Sequence, residues 1–462
     1  MEQIERKDRY ASAGGAGLST DTVIDHWGNP ITTKSDRAVD ALNRFTLAFA
    51  AHRAEAQSLL DEISCADPDL TLLFVVRGFS ISFLMRNDHW QHARSMCTRA
   101  KHISSQRGAT PREKGLIAAL EAWLRRDVDA AIDMLESLVS CNPRDLLTFK
   151  LTHACNFILG RPQRMRASAE RALKSWHPLI PGYGHALGCL AFALEETGDY
   201  ETAEVVGRQA VEAEPGSAWA IHAVAHVFEM TDRQKVGTEW LESHRIAWSQ
   251  CGNFAGHCTW HLALFHLELG EIEEALALYP SIRSHIHQDF RDFSNAASLL
   301  WRLEQEGYTL DAEWNELARL AKANAFDHGC AFADVHYALI LLQAGRPEEA
   351  LKALRSMRAY AEPRTHHFAS VISKVACPIV EGLIDLDQGR IETGLEYLES
   401  IQGKTQPMGG SHAQRDLFEQ LWIAGAVRWN QAQIAESALQ SRLQRRPQNR
   451  WAIQKLQTLK DG

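Results

Sequence analysis

The sequence predicts an all-α protein: a single right-handed solenoid of about ten helical hairpins packed in series. Three observations carry this. The segment LGCLAFALEETGDYETAEVVGRQAVEAEP, ending at Pro215, runs as a helix pattern through Glu196, turns at Gly198 and Asp199, and restarts at Tyr200. Ala203 and Ala210 leave room for close helix packing, and Pro215 blocks continuation. The same pattern of a turn followed by a small residue recurs along the chain, with starts 34 to 44 residues apart.

Laid out as a 34-residue template, with Gly at position 15, an aromatic residue at 17, Ala at 20 and 27, and Pro at 32, the unit begins at Gly184 and resembles the tetratricopeptide repeat. Taken in order, Trp90 and Ala93 place a unit from Phe74, Arg126 to Ala131 with Pro143 one from Arg112, and Gly160 to Pro162 one from Leu146. After the Gly184 unit, Asp232 to Gly237 gives a start at Ala218, Gly270 with Ala275 one at Gly256, and Gly307 with Ala312 one at Phe293. Gly345 with Ala350 gives Ala331, Gly389 to Ile391 gives Val375, and Ala435 with Pro447 gives Asp416. Residues 36–462 therefore read as one tetratricopeptide-like α-solenoid, and residues 1–35 as an extended or partly ordered N-terminal arm.

In such a superhelix the first helix of each unit lines the concave face, and template positions 2, 5, 9 and 12 follow one stripe of a 3.6-residue helix. They read His185, Gly188, Phe192 and Glu195 in the Gly184 unit, and Trp219, His222, His226 and Glu229 in the next. The Gly256 unit gives His257, Trp260 and Leu264, with His261 and Glu268 one position off the line, and the Phe293 unit gives Ser294, Ala297, Trp301 and Glu304. The corresponding positions of the Ala331 and Val375 units are mostly apolar: Phe332, Val335, Leu339; Ala376, Ile379, Leu383. The chain has 21 His, ten of them between His177 and His287, so its polar and aromatic groups concentrate mid-solenoid. A concave aromatic wall with a few convergent polar groups is the pattern of a ligand site; the competing reading is a satisfied polar core between helices.

Three chemistries suit the set. His222 and His226, one turn apart with Glu229 a turn further, and the repeated spacing at His257 and His261, would present a metal-binding face. H-E-x-x-H and E-x-x-H are absent from these helices, so neither a zincin nor a ferritin-like site is matched, and the preferred expectation is no metal and no cofactor. His beside Glu makes a general acid/base pair, which nominates His185, Glu195, His222, His226, Glu229, His257 and His261 as catalytic. Phe192, Trp219, Trp260 and Trp301 would stack a planar ligand or hold a peptide, with Glu304 as a polar contact. Further on, GGSHAQRD from Gly409 reads as a flexible turn, an N-capping Ser411 and a helix start. Capping accounts for Ser411 and Asp416 without a ligand, while a loop at the groove mouth would offer His412 and Arg415 to the pocket.

The segments HALGCLAFALEETGDYETAE, WAIHAVAHVFEM, NFAGHCTWHLALFHLELG, AASLLWRLE and GGSHAQRDLFEQ resemble the tetratricopeptide repeat protein 38 family. The resemblance implies an α-solenoid over nearly the whole chain but no defined activity, and Cys258 and Thr259 depart from the bulkier polar or aromatic residues of the family, implying a reshaped pocket.

Composition narrows the partners. A net charge of −9 argues against general affinity for nucleic acid or anionic membrane, and the basic cluster Arg442, Arg445, Arg446 and Arg450 reads as a solvated face. Nine scattered Cys without C-x-x-C suggest reduced thiols, and no apolar leader is visible, so a cytoplasmic location is expected. Phosphate loops, G-x-S-x-G elbows and dinucleotide fingerprints are absent. The expected function is binding of a small planar or heteroaromatic metabolite, with acid/base or oxygen-dependent chemistry and no nucleotide cofactor. The alternatives are a scaffold holding a peptide in the groove and, for assembly, a homodimer.

Overall fold

Helical hairpins follow one another along the chain in the computed structural model, which describes residues 21–284, 286, 289–322 and 324–461. The fold is a tetratricopeptide-like helical solenoid. Its hairpins pair Thr71–Ser82 with Asn87–Arg107, Pro111–Leu124 with Val128–Cys141, Leu146–Ile158 with Pro162–Leu173, Tyr183–Glu195 with Tyr200–Ala213, and Ala218–Met230 with Gln234–Ser243. The series continues with Asn253–Leu269 and Ile272–Ser284, Phe290–Gln305 and Asp311–Ala321, Ala331–Gln343 and Pro347–Ala361, Cys377–Asp387 and Ile391–Ser400, then His412–Arg428 and Ala432–Arg445. Every predicted start lies within four residues of an observed first helix.

The small residues explain the close approach. Ala203 and Ala210 are fully buried, and a Cβ on Gly207 would stand 2.5 Å from Val224 Cγ2, so no larger side chain fits between this hairpin and the next. Gly198 turns the hairpin at φ +82°, a left-handed conformation that glycine adopts without a Cβ penalty. Sequence periodicity missed a preceding hairpin, Asp36–Ala50 with Ala56–Ala66, the short helices Arg245–Trp248 and His367–Val371, and a closing helix, Arg450–Asp461. In the Val375 unit a π-turn, Ile372–Ala376, displaces the start of the first helix.

Of the expected N-terminal arm, residues 1–20 lie outside the described residues. Residues 21–35 form a small hairpin packed on the repeats: strands Thr22–Ile24 and Pro30–Thr32 pair antiparallel, with Val23 opposite Ile31. Asp25 organises the turn by accepting from the Trp27 and Asn29 amides, at 2.9 and 2.8 Å. Ile31 is fully buried, Trp27 Nε1 donates to the Pro181 carbonyl (2.9 Å), and Thr32 Oγ1 donates to Glu113 (2.6 Å).

The C-terminal basic cluster corrects its sequence reading. Arg442 is 1% exposed and bonds to Asp416, Glu419 and Asn449. Arg446 pairs with Asp232 (3.1 Å) and Arg450 with Glu306 (2.8 Å), while Asn449 donates to Glu268 (2.8 Å). Only Arg445 keeps a largely exposed side chain. The cluster is internal because acidic residues of the middle repeats meet it, so the last helices fold back across the concave face of helices 218–230, 253–269 and 290–305.

Candidate functional site

Helix 218–230 presents His222 and His226 one turn apart, and helix 253–269 does the same with His257 and His261. Their Nε2 atoms face one another: His226 to His222 2.9 Å, His222 to His257 3.0 Å, and His257 to His261 3.3 Å. One nitrogen from each of the four lies within 4.8 Å of the other three. Behind the rings, His261 Nδ1 is 2.9 Å from Glu229 Oε2, His257 Nδ1 is 3.2 Å from Asn295 Oδ1, and His226 Nδ1 is 3.6 Å from Glu195. His222 Nδ1 has no hydrogen-bond partner among the described residues. Burial holds His222, His257 and His261 well below the ordinary imidazole range, with neighbouring imidazoles adding to the effect, and lowers His226 as well. All four are therefore neutral near pH 7.

The cluster borders a cavity of about 310 Å³, into which His222 and His257 open. Its apolar wall is Phe49, Phe157, Trp219 and Phe254. His52, at the end of the first hairpin's leading helix, adopts a left-handed φ of +59° and lays its ring on Phe254 and Trp219, at centroid distances of 4.6 and 5.1 Å. Lys150 extends into the same space, its Nζ 3.3 Å from His52 Nε2 and 4.6 Å from the Trp219 ring centre. Its Nζ also lies 3.9 Å from Cys189 Sγ, among the described residues no carboxylate forms an ion pair with it, and burial lowers its pKa. Both ring nitrogens of the neighbouring His153 lack hydrogen-bond partners among the described residues. Across the cavity Arg291 is paired to Asp289, and Asp292 is pushed up to about 8 by burial and the Asp289 charge.

The structure sorts the predicted residues. His222, His226, His257, His261 and Glu229 converge, Glu195 stands behind His226, and Phe192 packs on Trp219 (4.6 Å) as support. His185 does not converge: it meets Ser217 Oγ at 3.0 Å and borders a separate depression with Arg53 and Glu214. Trp260 is fully buried, stacked on His257 at 5.4 Å behind the cluster. Trp301 lies in the hydrophobic core, and Glu304 accepts from Trp314 (2.7 Å) and Gln343 (2.6 Å), so neither reaches the cavity. At the GGSHAQRD turn, Ser411 and Gln414 form a capping box and also border the cavity. Arg415 and the His412 amide instead bind buried Glu196, at 3.0 and 2.7 Å. Burial would raise Glu196, but the Arg415 and His412 charges overcome it and hold the carboxyl below its usual range.

Geometry also revises the acid/base reading. The cluster nitrogens point at one another and not at the cavity, so they are poorly placed to carry protons to a bound ligand. Lys150 and Phe157 were legible, since they fill positions 5 and 12 of the Leu146 unit. His52, Arg291 and Asp292 carry no local signal.

No family model matches the chain. The fold is similar to the human IFIT1 dimer with PPP-AAAA, at 12% identity and a TM-score of 0.43, over 92% of this chain and 94% of that one. It is also similar to the P58(IPK) TPR domain, at 14% identity and a TM-score of 0.23, over 80% and 90%. Among the described residues no helix is long and apolar enough to cross a membrane, and the nine cysteines form no disulfide.

Proposed function

We propose that the cavity receives a small planar metabolite carrying an anionic group, its ring between Trp219, His52 and Phe254 and its acid directed at Lys150. The observation that carries this is a buried ammonium without a carboxylate partner beside an aromatic wall, since an unpaired buried charge is costly unless a ligand completes it. A volume of about 310 Å³ suits a metabolite. A peptide in the groove is the second reading, and it is the one closer to the usual use of such repeats. Against it stands the placement of the last helices: a ten-residue extended peptide needs roughly 33 Å of open channel, and these helices bind the groove helices through Asn449 to Glu268 and Arg450 to Glu306. Kinship to the tetratricopeptide repeat protein 38 family, the absence of nucleic-acid binding and a cytoplasmic site of action belong to the same reading.

The test is a binding screen of aromatic carboxylates and phosphates against the wild-type chain, Lys150→Met and Trp219→Ala. Saturable binding lost in both variants supports the proposal. Binding indifferent to both, or competed by unrelated peptides, replaces it with the scaffold reading.

A further inference from the structure

We propose that His222, His226, His257 and His261 together bind one divalent transition-metal ion through their Nε2 atoms, at the edge of the cavity. The inference rests on the four imidazoles and their supports, and stands apart from the ligand reading.

Spacing is the first argument. Metal–imidazole bonds of about 2.0–2.1 Å in a tetrahedron put donor nitrogens about 3.3 Å apart. The three close Nε2 contacts, 2.9, 3.0 and 3.3 Å, lie at or a few tenths of an ångström below that edge length. Two helices in successive hairpins each supply a His pair at i,i+4, so the backbone fixes all four donors on rigid elements.

Proton accounting is the second. A neutral imidazole has one N–H. With Glu229 ionised, His261 gives its Nδ1 proton to that carboxylate, and His257 in the matching tautomer gives its own to Asn295 Oδ1. Their Nε2 atoms then meet as two lone pairs at 3.3 Å, which is repulsive unless a cation lies between them. The four Nε2 atoms thus read as a donor set and not as a hydrogen-bond network.

The supports behind the rings are the third. A metal-bound His characteristically gives its other N–H to a carboxylate or carbonyl, which fixes the tautomer and raises ligand basicity. Glu229 and Asn295 already do this for His261 and His257. Glu195 is fully buried, neither of its oxygens has a hydrogen-bond partner among the described residues, and it lies 3.6 Å from the His226 Nδ1 that would be its donor. Glu195 and Glu229 are the carboxyl groups that stand directly behind the ligand rings, where their ionised forms would offset the charge of a bound 2+ ion. The all-nitrogen set selects zinc, iron(II), cobalt, nickel or copper over magnesium or calcium. Exchange with solvent runs through the cavity, where His222 and His257 are exposed to it.

The test uses the full chain, stripped with chelator and titrated with cobalt(II) and then zinc(II). Binding of one equivalent is expected, with the intense visible bands of tetrahedral cobalt(II), no thiolate charge-transfer band, and a metal-dependent rise in Tm. His257→Asn should weaken affinity at least 100-fold, and Glu229→Gln by about 10- to 100-fold. Should His257→Asn fail to fold, the wild-type cobalt spectrum decides alone, because the nine cysteines would give a sulfur signature. Less than a tenth of an equivalent bound, a thiolate band, or undiminished affinity in folded His257→Asn overturns the proposal.

Discussion

Replacing Asp292 by Asn should change the pH dependence of stability in a defined direction. Asp292 is 3% exposed, its closest polar neighbours are Asp289, Arg291 and Asn253, and its carboxyl is raised from 3.8 to about 8 by burial first and the Asp289 charge second. The folded state therefore holds this proton more tightly than the unfolded chain does. The resulting stabilisation is fully present below about pH 4 and is lost as pH rises towards 8. The slope is about 1.4 kcal/mol per pH unit, so moving from pH 5 to 7 costs on the order of 2–3 kcal/mol from this residue alone. Asparagine, a neutral near-isostere, does not titrate. Urea midpoints of wild type and Asp292→Asn, measured across pH 4 to 8, should diverge, with the variant gaining relative stability as pH rises. Parallel curves, or a wild type that gains on the variant, would refute the assignment of a neutral buried carboxyl.

Trp301→Ala should lower stability by about 3–5 kcal/mol, as core truncations of large side chains do, while leaving cavity binding unchanged; a calorimetric titration beside a denaturation curve separates the two. Arg415→Ala breaks the buried pair with Glu196 across 219 residues of chain and should cost about 3–5 kcal/mol in thermal unfolding. A loss under 1 kcal/mol would mean that this pair does not hold helix 412–428 to helix 183–195.

Much of the fold was legible because each hairpin writes its own turn and its own small residues: Gly198, Ala203 and Ala210 mark one repeat without reference to the others. The groove helices were legible for the same reason, and the stripe through Trp219, His222, His226 and Glu229 lies where the template puts it. Contacts between distant repeats are not written locally. Glu304 satisfies the groove spacing, yet Gln343 and Trp314 take up both of its oxygens. Arg442 and Arg446 look solvated until Asp416 and Asp232 meet them. His52 reaches the cavity only because the first hairpin lies against helix 146–158, which no local pattern encodes.

The account centres on an anion-directed aromatic pocket at Lys150 and Trp219. Equilibrium titration of the wild-type chain with a panel of planar aromatic acids, followed by Trp fluorescence, tests it most directly. The account predicts at least one saturable ligand whose affinity falls tenfold or more in both Lys150→Met and Trp219→Ala. No binding across the panel, together with a peptide that binds all three proteins equally, would contradict it.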